Sequence, residues 1–141
     1  RVRILGDKTG LSEDIRQAID ELEVVSAKNT GLNFSIALNY GSRDEMVRAM
    51  RKMSQDVAAG NLAPEAITEK VFESYLDTAQ IPDPDLMIRT SGEQRLSNFL
   101  LWQLAYTEFY FTDVLWPDFG RDDLVRAIEQ YNSRERRFGG V

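Results

Sequence analysis

The chain has 141 residues, 43% of them apolar and 28% charged, with a formal net charge of −6 at pH 7. That length sustains one domain with a substantial core, and the acidic balance argues against broad nucleic-acid binding, which draws most of its affinity from a basic face. Cysteine and histidine are both absent, which excludes disulfides, thiol catalysis, Cys-type zinc sites and the commonest general base, and leaves chemistry to carboxylates, Arg, Lys, Ser, Thr, Tyr, Asn or a hard cation such as Mg²⁺.

The first element is a short strand, Val2-Arg3-Ile4-Leu5, ended by Gly6-Asp7. Ser12 is a good helix N-cap, and Ile15, Ile19, Leu22 and Val25 then recur at helical spacing up to about Asn29. Gly31 stands where a helix-terminating C′ glycine is expected. Residues 32–39 read as a second strand, Tyr40-Gly41-Ser42 as a tight turn and residues 43–59 as a helix broken by Gly60-Asn61. Pro64 opens a further helix towards Thr78. Ile81-Pro82-Asp83-Pro84 is a stiff extended linker. Residues 85–88 form a third strand, Ser97 caps a short helix over 98–105, and Phe109-Tyr110-Phe111 forms a fourth strand at an edge. Trp116-Pro117-Asp118-Phe119 is a turn before a last helix from Asp122 to about Arg134 and a basic tail.

Strands alternate with helices, which predicts an α/β fold with a largely parallel central sheet surrounded by helices. No repeat, low-complexity segment or domain boundary stands out. No apolar run approaches the ~18 residues of a membrane span and no signal peptide is visible, so a cytoplasmic protein is expected. The chain opens on Arg1, already inside a strand. A portion lacking its N-terminal part is therefore expected, with a processed native start as the alternative.

Ligands in such sheets collect at the carboxyl ends of strands, and three polar clusters fall there: Gly6-Asp7, Asn39-Tyr40-Gly41-Ser42-Arg43 and Arg89-Thr90-Ser91-Gly92. Arg89 follows the apolar strand and is joined downstream by Arg95 and Ser97. The small Thr90-Ser91-Gly92 turn would let backbone N–H groups approach a ligand, and a helix start at Ser97 would favour an anion. Two guanidiniums, a hydroxyl and a helix start suit a diphosphate head. Arg89 could equally pair with Glu93 or Asp85. Glu108 either neutralises the arginines or holds Mg²⁺, and spacing alone favours the salt bridge. Asn39 to Arg43 could shape a pocket rim, although an ordinary strand–helix connection is the simpler reading. The tail Arg134-Glu135-Arg136-Arg137-Phe138-Gly139-Gly140 is basic and complements the preceding helix dipole, while its Phe and paired Gly suggest a segment that docks.

Taken together, these motifs resemble the cis-prenyltransferases, the undecaprenyl diphosphate synthase family. The resemblance runs through Asn39-Tyr40-Gly41-Ser42-Arg43, Pro84 to Glu93, Arg95-Leu96-Ser97-Asn98-Phe99-Leu100-Leu101-Trp102-Gln103, Ala105-Tyr106, Glu108, Trp116-Pro117-Asp118-Phe119 and the Arg134–Gly140 tail. It spans nearly the whole chain, and its central stretch is highly specific.

The resemblance implies a parallel sheet with helices around a hydrophobic tunnel, a homodimer, and Mg²⁺-dependent condensation of isopentenyl diphosphate onto an allylic partner such as farnesyl diphosphate in cis configuration. The product would be a long polyprenyl carrier of undecaprenyl type, through which the protein could associate peripherally with membranes. It implies that Arg89, Arg95, Leu96 and Ser97 bind isopentenyl diphosphate, that Glu108 is a Mg²⁺ ligand, that Arg137 and Gly139 reach the substrate across the dimer interface, and that Leu32 lines the tunnel end. The family's Asp-Gly-Asn-Gly-Arg-type loop, which cradles the allylic diphosphate and supplies another metal-binding Asp, has no match in residues 1–141. The chain is therefore expected to be the C-terminal part of a single synthase domain, holding the isopentenyl half of the site and inactive alone. Two rivals are a non-catalytic relative that binds substrate for a partner, and an unrelated phosphate-binding hydrolase, for which the sequence offers no obvious base or nucleophile.

Overall fold

A computed structural model describes residues 1–134. The chain divides into two compact units, Arg1–Ile81 and Pro82–Val141. The divide falls at the Ile81-Pro82-Asp83-Pro84 segment, where proline ring closure holds the backbone extended. Each unit carries one pair of parallel strands, and with four α-helices among the described residues the fold is α/β as expected.

In the first unit, β1 (Val2–Leu5) leads through α1 (Glu13–Ser26) to β2 (Phe34–Ala37). The strands pair in register from Val2 opposite Phe34 to Leu5 opposite Ala37. Parallel neighbours cannot be joined by a tight hairpin, and α1 supplies the crossover. α2 (Ser42–Ala58) buries Ser42, Glu45, Ala49 and Met53, one face of a 3.6-residue period. Ile4, Leu5, Ile19, Ala49, Met53 and Leu76 are the buried apolar residues of this unit.

β1 bonds to β2 through one row of backbone groups, and the alternate row points away. The N–H groups of that outer row are satisfied by side chains. Val2 N–H donates to Ser26 Oγ, Ile4 N–H to Glu23 Oε1 and Gly6 N–H to Asp77 Oδ2, each at 2.9 Å. Gly6 has φ +115°, and a Cβ there would lie 2.1 Å from the Leu38 carbonyl oxygen. Only glycine fits this crossing of the two strand ends.

Several boundaries differ from the sequence expectation. α1 stops at Ser26, its following residue Ala27 still right-handed, and Gly31 does not take positive φ. The expected glycine cap at Gly31 is therefore absent. β2 is four residues long rather than eight. Pro64 opens only a 3-10 turn, Pro64–Ala66. Extended backbone at Ile67 and Thr68 interrupts it, and Thr68 Oγ1 then caps α3 (Glu69–Glu73) by accepting the Val71 N–H at 3.2 Å.

In the second unit, β3 (Leu86–Arg89) pairs with β4 (Glu108–Phe111), from Leu86 opposite Glu108 to Arg89 opposite Phe111. A 3-10 turn at Trp116–Asp118 precedes α4 (Arg121–Ser133), whose start is fixed by the Gly120 N–H donating to Asp123 Oδ2 at 2.8 Å. The expected helix over 98–105 does not form. Ser97, Asn98 and Leu100 all have positive φ (50°, 62° and 46°), which a right-handed helix cannot accommodate. The segment is a run of turns, in which Leu104 N–H donates to the Leu100 carbonyl at 2.9 Å. It returns to the sheet where Thr107 Oγ1 donates to the Pro84 carbonyl at 2.6 Å and Glu108 N–H to the Asp85 carbonyl at 3.1 Å.

Candidate functional site

The candidate site is built at the carboxyl end of β3. Strand pairing fixes Arg89: its carbonyl accepts the Thr112 N–H at 3.0 Å. The chain then turns sharply, with Ser91 at φ 67° and Gly92 at φ 70°. Their N–H groups do not face a ligand, as the sequence had suggested. Ser91 N–H donates to the Val114 carbonyl and Gly92 N–H to the Thr112 carbonyl, both at 2.9 Å. A turn so close to the neighbouring strand satisfies its donors there. Its role is to lock the exit from β3, which aims Arg89.

The Arg89 guanidinium reaches across to the returning segment. Nη1 donates to the Arg95 carbonyl oxygen, and Nη2 approaches Ser97 Oγ at 3.5 Å. Beside this pair lies a cavity of about 290 Å³ lined by Met87, Ile88, Arg89, Leu96, Ser97 and Phe99. The wall is apolar apart from one guanidinium and one hydroxyl, so it offers a cationic, hydrogen-bonding edge next to a hydrocarbon surface. Three of the four expected binding residues, Arg89, Leu96 and Ser97, therefore meet on one cavity. The Arg95 side chain turns outward and pairs with Glu93. Glu93, one of the two carboxylates expected as an alternative partner for Arg89, is thus paired with Arg95. With no helix beginning at Ser97, the helix-dipole contribution expected there is also absent, and Arg89 with the Ser97 hydroxyl carries the polar side of the cavity.

Glu108 stands apart from this cluster. Its register partner is Leu86, three positions before Arg89, or about 10 Å along the strand direction. Pleat alternation sends the two side chains to opposite faces. The Glu108 carboxylate pairs with Arg134, which follows α4, at 2.5 Å, with side-chain exposures of 30% and 35%. No group of three or more Asp or Glu side chains placed to hold a metal occurs among the described residues.

Leu32 is 79% exposed, so it is not a core leucine. Its carbonyl accepts a hydrogen bond from the Arg1 backbone nitrogen at 2.7 Å. Arg137 and Gly139 lie outside the described residues.

The Asn39-Tyr40-Gly41-Ser42-Arg43 turn sits on a buried polar network not anticipated from spacing. Glu45 is 1% exposed. It accepts the Tyr40 hydroxyl at 2.5 Å and the Asp77 N–H at 2.9 Å. Arg48 grips Asp77 with two bonds of 2.8 and 2.7 Å. Burial opposes the charged form of Asp77, but the Arg48 hydrogen bonds and charge, with the Gly6 N–H, outweigh it and hold the carboxyl below its ordinary range. The sequence signal was available: Glu45 shares the buried helical stripe with Ala49 and Met53.

Residues 1–139 match a family model described as "Putative undecaprenyl diphosphate synthase". The chain is 58% identical over 141 residues to an isoprenyl transferase of Brucella suis biovar 1, covering all of this chain and 56% of that protein. It is 57% identical to an isoprenyl transferase of Rhizobium meliloti, again over the whole chain and 57% of the relative. It thus spans just over half the length of these curated relatives. Among solved structures, lavandulyl diphosphate synthase from Lavandula x intermedia in complex with dimethylallyl diphosphate is similar at a TM-score of 0.95 and 47% identity, over 99% of this chain and 60% of that one. A probable undecaprenyl diphosphate synthase from Campylobacter jejuni is similar at a TM-score of 0.84 and 34% identity, over 99% and 63%. No helix among the described residues is long and apolar enough to cross a membrane.

Proposed function

The chain belongs to the undecaprenyl diphosphate synthase family of prenyltransferases, and on that premise we propose that it carries the isopentenyl diphosphate site of a cis-prenyltransferase that elongates farnesyl diphosphate to a polyprenyl, undecaprenyl-type product. The observation that supports this most directly is the Arg89–Ser97 edge of an apolar cavity. A diphosphate would replace the 3.5 Å contact by bonds to both groups, charge-assisted at the guanidinium. The isoprene carbons would lie against Met87, Ile88, Leu96 and Phe99. Arg95, whose carbonyl meets Arg89 and whose guanidinium pairs with Glu93, is proposed to leave Glu93 for the diphosphate. In the reaction, the double bond of isopentenyl diphosphate forms a carbon–carbon bond to the allylic C1, the C1–O bond breaks with its electrons leaving on the diphosphate, and one proton is lost from the isopentenyl unit. Residues that fix the isopentenyl head hold its double bond in line for that attack.

Glu108 fits a Mg²⁺ ligand. Its carboxylate is partly exposed, and Mg²⁺ takes one or two carboxylates and completes its octahedron with water and phosphate oxygens. When bound, the metal supplies positive charge for a diphosphate leaving group. Arg137 and Gly139 are proposed to reach the partner's substrate in a homodimer, and Leu32 to stand at the tunnel end. The 141 residues alone are proposed to be inactive, since no Asp-Gly-Asn-type loop for the allylic diphosphate occurs in them.

Calorimetric titration of the full-length protein, which would also carry the allylic loop, tests the assignment. Arg89→Ala and Ser97→Ala are expected to weaken isopentenyl diphosphate binding, by about 10- to 100-fold for the arginine, and to leave farnesyl diphosphate binding within twofold. Equal losses for both ligands would sink the division of roles.

A further inference from the structure

The Glu108–Arg134 ion pair has a consequence beyond the substrate site. Arg134 is the residue at which the chain leaves α4: its backbone is extended (φ −83°, ψ 134°), and its N–H holds the Tyr131 carbonyl at 3.2 Å. Helix end and guanidinium are thus anchored separately. The guanidinium can swing away from Glu108 without unwinding a turn of α4. Both side chains are about one-third exposed, so water reaches the carboxylate, and a released guanidinium is solvated rather than stranded.

We propose that Arg134 is a resident counter-ion of Glu108 that a divalent cation must displace, so that cation binding on β4 releases the Arg134 guanidinium from the strand. This rests on the reading of Glu108 as a metal ligand. A divalent ion and a guanidinium on one carboxylate repel each other at contact distance, and the doubly charged ion attracts the carboxylate more strongly. The guanidinium holds Oε2 of the carboxylate, an oxygen a cation would compete for. Arg134 therefore weakens cation binding in proportion to the strength of its own pair, and cation occupancy decides whether Arg134 is tied to β4. Arg134 opens the Arg134-Glu135-Arg136-Arg137 run, so the exchange would deliver a free positive charge at the start of the basic tail.

The test uses the full chain with Mn²⁺ as probe, followed by its electron paramagnetic resonance signal, and Mg²⁺ with nuclear magnetic resonance of the Arg134 Nε–H. Arg134→Gln is expected to tighten Mn²⁺ binding about fivefold, the equivalent of about 1 kcal/mol for an exposed pair. Arg134→Lys, which keeps a competing charge, should stay within twofold of the parent. In the parent chain the Arg134 Nε–H resonance should move on Mg²⁺ saturation, and it should be insensitive to Mg²⁺ in Glu108→Gln. If Glu108→Gln weakens Mn²⁺ binding but Arg134→Gln leaves it unchanged or weaker, Arg134 does not compete and the inference fails while the metal-ligand reading stands. An Arg134 resonance unmoved by Mg²⁺ in the parent also defeats it, whatever the variants do to folding. If Glu108→Gln has no effect on Mn²⁺, the metal-ligand reading itself is lost, and the inference with it.

Discussion

Asp77→Ala isolates the network beneath the Asn39–Arg43 turn. Asp77 joins two parts of the first unit: it takes both Arg48 nitrogens at 2.8 and 2.7 Å, and the Gly6 N–H at the end of β1 at 2.9 Å. Its side chain is 13% exposed and that of Arg48 21%. Removing one member of a fully buried pair costs about 3–5 kcal/mol. Residual exposure and the Arg48 Nε bond to Asp44, at 2.8 Å, reduce this to about 2 kcal/mol. The abandoned Gly6 N–H adds about 1 kcal/mol. The expected loss is therefore about 3 kcal/mol, a large share of the 5–15 kcal/mol typical of a domain. Urea denaturation at neutral pH, with the slope checked for constancy, measures it directly. Asp77→Asn, which keeps an acceptor for Gly6 but loses the charge, should lose about half as much. The pH dependence carries a second signature. The Asp77 carboxyl is held below its ordinary range, so its contribution is fully present above the unfolded carboxylate value of about 3.9 and is lost as pH falls through the lower folded value. Parent and Asp77→Asn curves should converge in acid. A loss under about 1 kcal/mol for Asp77→Ala, or a gap that widens on acidification, would refute the assignment of this pair as a structural tie.

Other substitutions probe separate points. Gly6→Ala places a methyl group 2.1 Å from the Leu38 carbonyl oxygen at φ +115°, and should cost more than about 3 kcal/mol; an unchanged thermal midpoint would contradict the close crossing. Arg89→Lys keeps the charge but loses the two-point reach to the Arg95 carbonyl and Ser97, so isopentenyl diphosphate should bind about tenfold more weakly; parent-like calorimetric affinity would mean that charge alone suffices. Leu32→Ala, at a position 79% exposed, should change unfolding free energy by less than about 0.5 kcal/mol, and a large loss would return Leu32 to the core.

Periodicity placed α1, α2 and α4, whose apolar spacing is long enough to define a phase, although the C-terminal punctuation of α1 at Gly31 was misread. Periodicity failed over 98–105. The run Phe99-Leu100-Leu101-Trp102 is apolar at every position, so it has no phase, and the left-handed conformations of Ser97, Asn98 and Leu100 have no glycine to advertise them. The donors of the Ser91-Gly92 turn were misjudged for a different reason: their acceptors, Val114 and Thr112, lie far along the chain. A still longer separation in sequence hides the Glu45–Asp77 contact. At the site, spacing left Arg89 and Glu108 open between ion pair and ligand contact. The motif resemblance named the family correctly, while the structure adds that Arg89 and Ser97 share one cavity and that Glu108 faces Arg134.

The three side-chain acceptors along β1 bear on how this sheet can grow. Val2, Ile4 and Gly6 present the donors that an incoming strand would need, and Ser26, Glu23 and Asp77 already hold them. Two of those acceptors are carboxylates held in their charged form below the ordinary range. An approaching backbone carbonyl would meet oxygens already in place and would have to displace one of them for each bond it formed. The donors of the β1 edge are therefore already taken, which guards that edge against strand addition and edge-to-edge self-association.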